Sequence, residues 1–180
     1  MQNTKFAPMN IVITGSSKGF GKAIAEKFAG DGQGHTVLLC ARHKEKLEEE
    51  AKRLQGRFPT ATIKFKTCDV GIREQVNDFA ACVLKETTAP DVLVNNAGTF
   101  IPGSVHNEPE GALEKIMEVN LYSAYHLTRS LLPKMMEKKS GHIFNICSIA
   151  SLKAYNNGGA YSISKYALAG FSTNLREEMK

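Results

Sequence analysis

The chain has 180 residues, enough for a domain with a real core, and its 42% hydrophobic and 23% charged shares exclude a disordered chain. Its formal charge is +5. Basic residues nevertheless alternate with acids, as over His43–Glu50, which marks a solvated helix face and excludes a dedicated nucleic-acid surface.

In chain order, strand-like and helix-like segments alternate. Asn10–Thr14 is a short β-branched run ending at glycine and reads as a buried strand. Gly19–Ala29 follows as a helix with Phe20, Ile24 and Phe28 on one stripe. Thr36–Cys40 is a second strand and His43–Gln55 a charged, solvent-facing helix. Ala61–Thr67 is a third strand, with Ile63 and Phe65 alternating against lysines. Arg73–Glu86 carries Val76, Phe79, Ala80, Val83 and Leu84 at amphipathic helical spacing.

Asp91–Asn95 is a fourth strand. A helical pattern covers Glu110–Lys138, in which Pro133 is expected to cause a kink or break. Gly141–Ser148 is a fifth strand, and a last helix starts near Gly159 and runs on to Lys180. Strands separated by helices of this length form right-handed βαβ units, so the expected architecture is an open, Rossmann-like doubly wound α/β sheet. One domain is expected over residues 1–180. The last helix reaches Lys180 with no Gly or Pro stop signal, so the domain is expected to lack its C-terminal strands.

Cys40, Cys68, Cys82 and Cys147 form no C-x-x-C pair and each lies in an apolar run, so they are expected to be buried free thiols in a reducing compartment. Met1–Pro8 has no apolar leader stretch, and no run is long enough to span a bilayer. Cytoplasm is the expected location, with no membrane or nucleic-acid partner. His35, His43, His106, His126 and His142 share no metal-ligand spacing and read as surface or supporting groups, so no metal is expected.

Thr14-Gly15-Ser16-Ser17-Lys18-Gly19-Phe20-Gly21 joins the first strand to the first helix. In that context glycines permit a tight turn, a close backbone approach to a pyrophosphate, and helix packing on the strand. The loop then offers free N–H groups and the positive end of a helix dipole to phosphates. A residue reading the adenosine ribose is expected at the end of the second strand. That stretch is Leu38-Leu39-Cys40-Ala41-Arg42, with no acid to accept from ribose hydroxyls. Arg42 instead suits a 2′-phosphate, and Lys18 can approach the same group. A charged hydrogen bond of about 1.5–3 kcal/mol corresponds to one or two decades of preference for NADP.

With these motifs in register the chain resembles the short-chain dehydrogenase/reductase family, in its standard single-domain branch. The glycine loop Thr14–Gly21 matches, as does Asn95-Asn96-Ala97-Gly98 after the fourth strand. Asp69-Val70 looks like the family's adenine-contacting pair and Asn120 like its helix asparagine. Ser148 ends the fifth strand, and Tyr161-Ser162-Ile163-Ser164-Lys165 is the Tyr-x-x-x-Lys motif. The resemblance implies an NADP-dependent oxidoreductase acting on a small-molecule carbonyl or alcohol, with Asn120, Ser148, Tyr161 and Lys165 as the catalytic group. It implies cofactor contacts from Gly15, Ser17, Lys18, Gly19, Phe20, Gly21, Ala41, Arg42, Asp69, Val70, Asn96, Ala97, Gly98, Tyr161 and Lys165. It gives Asn120 a water that connects Lys165 to solvent, and it implies a homodimer or homotetramer formed through the two long helices.

Elementary chemistry agrees with that assignment. Residues four apart on a helix share a face, so Lys165 stands beside Tyr161. A phenol with pKa about 10 is a poor acid–base catalyst at neutral pH, and a neighbouring ammonium favours its phenolate. Within the same chemistry a general carbonyl reductase, a 3-oxoacyl-carrier-protein reductase and a sepiapterin-reductase-like enzyme stay open. An NADP-binding regulatory protein without turnover is the alternative of another class.

Overall fold

The structure is a computed structural model and describes residues 7–180; the stretch Met1–Pro8, on which the leader expectation rested, lies mostly outside the described residues. Five strands form one parallel sheet in the order β3-β2-β1-β4-β5. They are β1 (Asn10–Thr14), β2 (Thr36–Ala41), β3 (Thr62–Thr67), β4 (Val92–Asn95) and β5 (His142–Asn145). The helices are α1 (Gly19–Ala29), α2 (Lys44–Arg57), α3 (Arg73–Thr87), α4 (Ala112–Met117), α5 (Ser123–Lys138) and α6 (Gly159–Glu178). The expected doubly wound α/β architecture is the one found.

The central strands are apolar on both faces because helices cover both faces. On one side Ile11, Ile13, Val37, Leu39 and Val94 pack against Ala25 of α1 and Leu47, Ala51 and Leu54 of α2. On the other, Val12, Leu38 and Leu93 meet Val76, Phe79 and Val83 of α3 and Leu127 and Leu131 of α5. Each such large side chain contributes about 1.5–3 kcal/mol when fully buried. The helix α2 is therefore not wholly solvent-facing. Its inner side also buries Glu50, which pairs with Lys22 and Arg53 at 2.8 and 2.7 Å.

Three further expectations are corrected. First, Pro133 does not break α5, which continues to Lys138. Proline removes one N–H, but Pro133 and Arg129 are both exposed, so water can satisfy the freed carbonyl. The irregularity falls earlier, as a π-helical turn at Glu118–Tyr122 between α4 and α5. Second, β5 stops at Asn145, level with the end of its partner β4 at Asn95. Ser148 instead caps a short 3₁₀ turn, Ile149–Ser151.

Third, Cys40 and Cys68 are buried, but Cys82 is half-buried and Cys147 exposed, past the end of an edge strand. His35, read as a surface or supporting group, is a fully buried supporting one. Its Nδ1 accepts from the Met9 N–H at 3.0 Å, so Nε2 carries the proton and donates to Asp31 at 2.8 Å.

Candidate active site

In the order 3-2-1-4-5 the winding direction changes between β1 and β4, and ligands of such sheets bind outside the strand ends at that point. Here the two loops are stitched together. Thr14 Oγ1 accepts from the N–H groups of Asn96 and Ala97 at 3.0 and 2.9 Å. The Asn96 amide donates to the carbonyls of Thr14 and Gly15 at 2.9 and 3.1 Å. Ser16 fastens the glycine loop to β2, donating from N and Oγ to the Cys40 carbonyl at 3.1 and 3.2 Å.

The glycines have separable reasons. Gly15 sits at φ +65°, and a β-carbon there would lie 2.9 Å from the Ala97 Cα. Gly19, at φ +57°, faces open space. No side chain caps the start of α1, so its first N–H groups remain available to an anion.

A cavity of about 280 Å³ opens at this point. Of the expected cofactor residues, Gly15, Ser17, Lys18, Gly19, Ala41, Arg42, Asp69, Val70, Asn96, Ala97 and Gly98 line it. Phe20, Gly21, Tyr161 and Lys165 do not: Phe20 projects outward, 62% exposed, Gly21 is buried beneath Gly15 and Asn96, and Tyr161 and Lys165 stand on α6 outside this cavity. His43, Cys68, Thr99 and Val119 also line the cavity and were not expected. Each flanks a motif residue in the sequence, which was the available signal. Arg42 and Lys18 form no ion pair among the described residues, and no acid stands at the end of β2. Two cations unpaired among the described residues, with no carboxylate beside them, make this corner of the cavity chemically suited to a phosphate group. Asp69 is partly engaged, its Oδ1 accepting from the Gly71 N–H at 3.0 Å.

The expected catalytic residues gather around the start of α6. Tyr161 and Lys165 share a face, with Nζ 5.9 Å from the centre of the Tyr161 ring. Lys165 is only 6% exposed and donates to the Ile146 carbonyl at 2.8 Å. Burial pushes its ammonium down from the ordinary lysine value, partly opposed by Cys147. Ser148 stands at the start of the 3₁₀ turn, which packs on α6. Its Oγ accepts from the Ala150 N–H at 3.1 Å, leaving the hydroxyl hydrogen free to donate.

Asn120 lies in the π turn, a helical irregularity often found at functional sites. Its amide bridges three elements, donating to the Thr99 carbonyl and Ser164 Oγ, each at 3.0 Å, and accepting from the Thr99 N–H at 2.7 Å. Gly98 joins this group to the cavity. A β-carbon there would stand 3.4 Å from Asn120 Oδ1 and 3.8 Å from Lys165 Nζ. A larger groove of about 1090 Å³ runs along the free edge of β5 and contains none of the expected site residues.

Comparison with known proteins gives the class. The short chain dehydrogenase family model matches residues 9–180. The chain is 32% identical over 172 residues to the NADP-dependent 3-hydroxy acid dehydrogenase YdfG of Escherichia coli, covering 95% of this chain and 66% of that protein. It is 34% identical over 175 residues to the mouse dehydrogenase/reductase SDR family member 7B, covering 94% and 53%. A crystal structure of a metagenomic short-chain oxidoreductase in complex with NADP superimposes with a TM-score of 0.89 at 34% identity, covering 98% of this chain and 78% of that one. The chain therefore belongs to the short-chain dehydrogenase/reductase family, whose members are oxidoreductases of alcohol and carbonyl groups. It spans only 66% and 53% of the length of these two curated relatives. Among the described residues no helix is long and apolar enough to cross a membrane.

Proposed function

We propose that this chain binds NADP and takes part in reducing a carbonyl to an alcohol, or the reverse, with Tyr161 as the acid/base. The observation that carries the reading is the buried Lys165 on the Tyr161 face of α6, joined through Gly98 to the cavity beneath the glycine loop. The NADP held by the metagenomic oxidoreductase and the NADP dependence of the Escherichia coli relative support the choice of cofactor.

On this reading the Gly15–Gly21 loop holds the pyrophosphate, Arg42 and Lys18 meet the 2′-phosphate beside Ala41, and Asp69 and Val70 flank the adenine. Asn96, Ala97 and Gly98 form the wall between adenosine and nicotinamide ends. The reduced nicotinamide, when bound, supplies the hydride. Tyr161 gives its phenolic proton to the substrate oxygen, and the Lys165 ammonium favours the phenolate that results. Ser148 donates its free hydroxyl hydrogen to the same oxygen and fixes its position. Asn120 keeps the loop after β4 and the Ser164 turn of α6 in register, and holds the water that links Lys165 to solvent. The outer faces of α5 and α6 expose Tyr125, Ile163 and Tyr166, which supports a homodimer or homotetramer through these helices. Cytoplasm remains the proposed location.

The test is Tyr161→Phe in the full-length protein. NADPH oxidation against a panel of small ketones, acetoacetyl thioesters and pterins should fall by several decades, while NADPH affinity stays within about twofold. Undiminished turnover by the variant would overturn the assignment.

A further inference from the structure

The stretch Thr99–Glu108 after β4 contains no helix or strand, yet it is fastened to the segment entering α6 at three points. The Gly103 N–H donates to the Asn157 carbonyl at 3.4 Å, and Ser104 Oγ donates to Asn157 Oδ1 at 3.0 Å. Glu108 Oε1 accepts from the Ala160 N–H at 2.6 Å. The first N–H groups of a helix have no partner within it, and Gly158, at the head of α6, has no side chain to supply one. Glu108 does so from 52 positions away. Its charge also stands at the positive end of a 20-residue helix.

Two glycines leave the space that this carboxylate fills. A β-carbon on Gly159 would stand 1.9 Å from Glu108 Oε1, and one on Gly103 would stand 2.6 Å from Glu108 Cγ. Neither position accepts a side chain while the carboxylate is in place. The N–H that Glu108 holds belongs to the residue immediately before Tyr161. The other end of the same stretch reaches the Tyr161 ring directly: Phe100 meets it edge-on, with centroids 4.9 Å apart and planes at 84°. Thr99, beside Phe100, is clamped by Asn120. One loop therefore grips Tyr161 at its ring and the residue just before it at its backbone.

We propose that Glu108 is a positioning residue for Tyr161, locking the first turn of α6 into the socket formed by Gly103 and Gly159 and thereby setting where the phenol stands. The proposal rests on the function proposed above. Glu108 acts through the backbone and does not line the cavity beneath the glycine loop.

The test compares Glu108→Ala and Glu108→Gln in the full-length protein. The readouts are NADPH oxidation with a carbonyl that the wild type reduces, and amide hydrogen exchange over residues 158–166. Loss of a helix cap corresponds to about a fivefold to tenfold loosening. Glu108→Ala should therefore lower kcat about tenfold and raise exchange in the first turn by a similar factor, with the KM for NADPH unchanged. Glu108→Gln keeps the acceptor and should stay within about threefold of wild type. The proposal is overturned if Glu108→Ala keeps wild-type kcat, or if kcat and the KM for NADPH change in step. A wild type that reduces no carbonyl fails the functional reading itself, a result distinct from an active wild type with an equally active Glu108→Ala.

Discussion

The ammonium of Lys165 donates to the carbonyl of Ile146 at 2.8 Å, just past the end of β5, and holds that position while nearly excluded from water. Burial disfavours the charged form, so its folded pKa lies below that of an ordinary lysine, with Cys147 opposing the shift. The unfolded chain then binds more protons than the folded one between the lowered value and about 10.4. The destabilisation is fully present at low pH and is relieved as pH rises through the folded pKa. Lys165→Met has no such group. Urea unfolding of both proteins from pH 7 to pH 10 should show the wild type gaining stability relative to the variant as pH rises. Parallel pH profiles would contradict a desolvated Lys165.

Arg42 lines the cavity at the end of β2, where no carboxylate is available to a ribose hydroxyl. A charge-assisted hydrogen bond is worth about 1.5–3 kcal/mol, so Arg42→Ala should weaken NADPH binding by one to two decades. NADH lacks the 2′-phosphate, and its affinity should change by less than about threefold. Titration of both reduced cofactors by fluorescence measures the ratio directly. An equal loss for both would place Arg42 away from the 2′-phosphate.

The sheet was legible because its code is local. Runs such as Asn10–Thr14 and Thr36–Ala41 are apolar at successive positions, and helices buried on one face separate them. The glycine loop, Asn95–Gly98 and the Tyr161–Lys165 pair were legible as spacings, since turns and helix faces fix which neighbours meet. What stayed hidden depends on one extra residue or on distance along the chain. A π turn at Glu118–Tyr122 leaves the apolar pattern of the long helix almost unchanged. The early end of β5 is level with that of β4, a strand distant in the sequence, and Cys147 lies exposed beyond it. The bond between Glu108 and Ala160 joins segments whose meeting is set by the whole sheet.

Gly21 and Gly170 separate glycines that the fold requires from those it tolerates. A β-carbon on Gly21 would lie 2.4 Å from both the Gly15 carbonyl oxygen and Asn96 Nδ2. Neither atom can retreat freely: one is backbone of the glycine loop, and the other is bonded to Thr14 and Gly15. Gly21→Ala should therefore cost about 1–3 kcal/mol through overpacking and weaken NADPH binding by distorting the loop. Gly170 lies in α6 with nothing within 4 Å of its would-be β-carbon. Gly170→Ala should raise stability by about 0.5–1 kcal/mol through helix propensity and a less flexible unfolded chain. It sits on the same helix as Tyr161 but contacts none of the site, so turnover should not change. Denaturant unfolding and NADPH titration of both variants check the pair. Tolerance of alanine at residue 21, with cofactor affinity intact, would show that the contact between α1 and the glycine loop is looser than the structure describes.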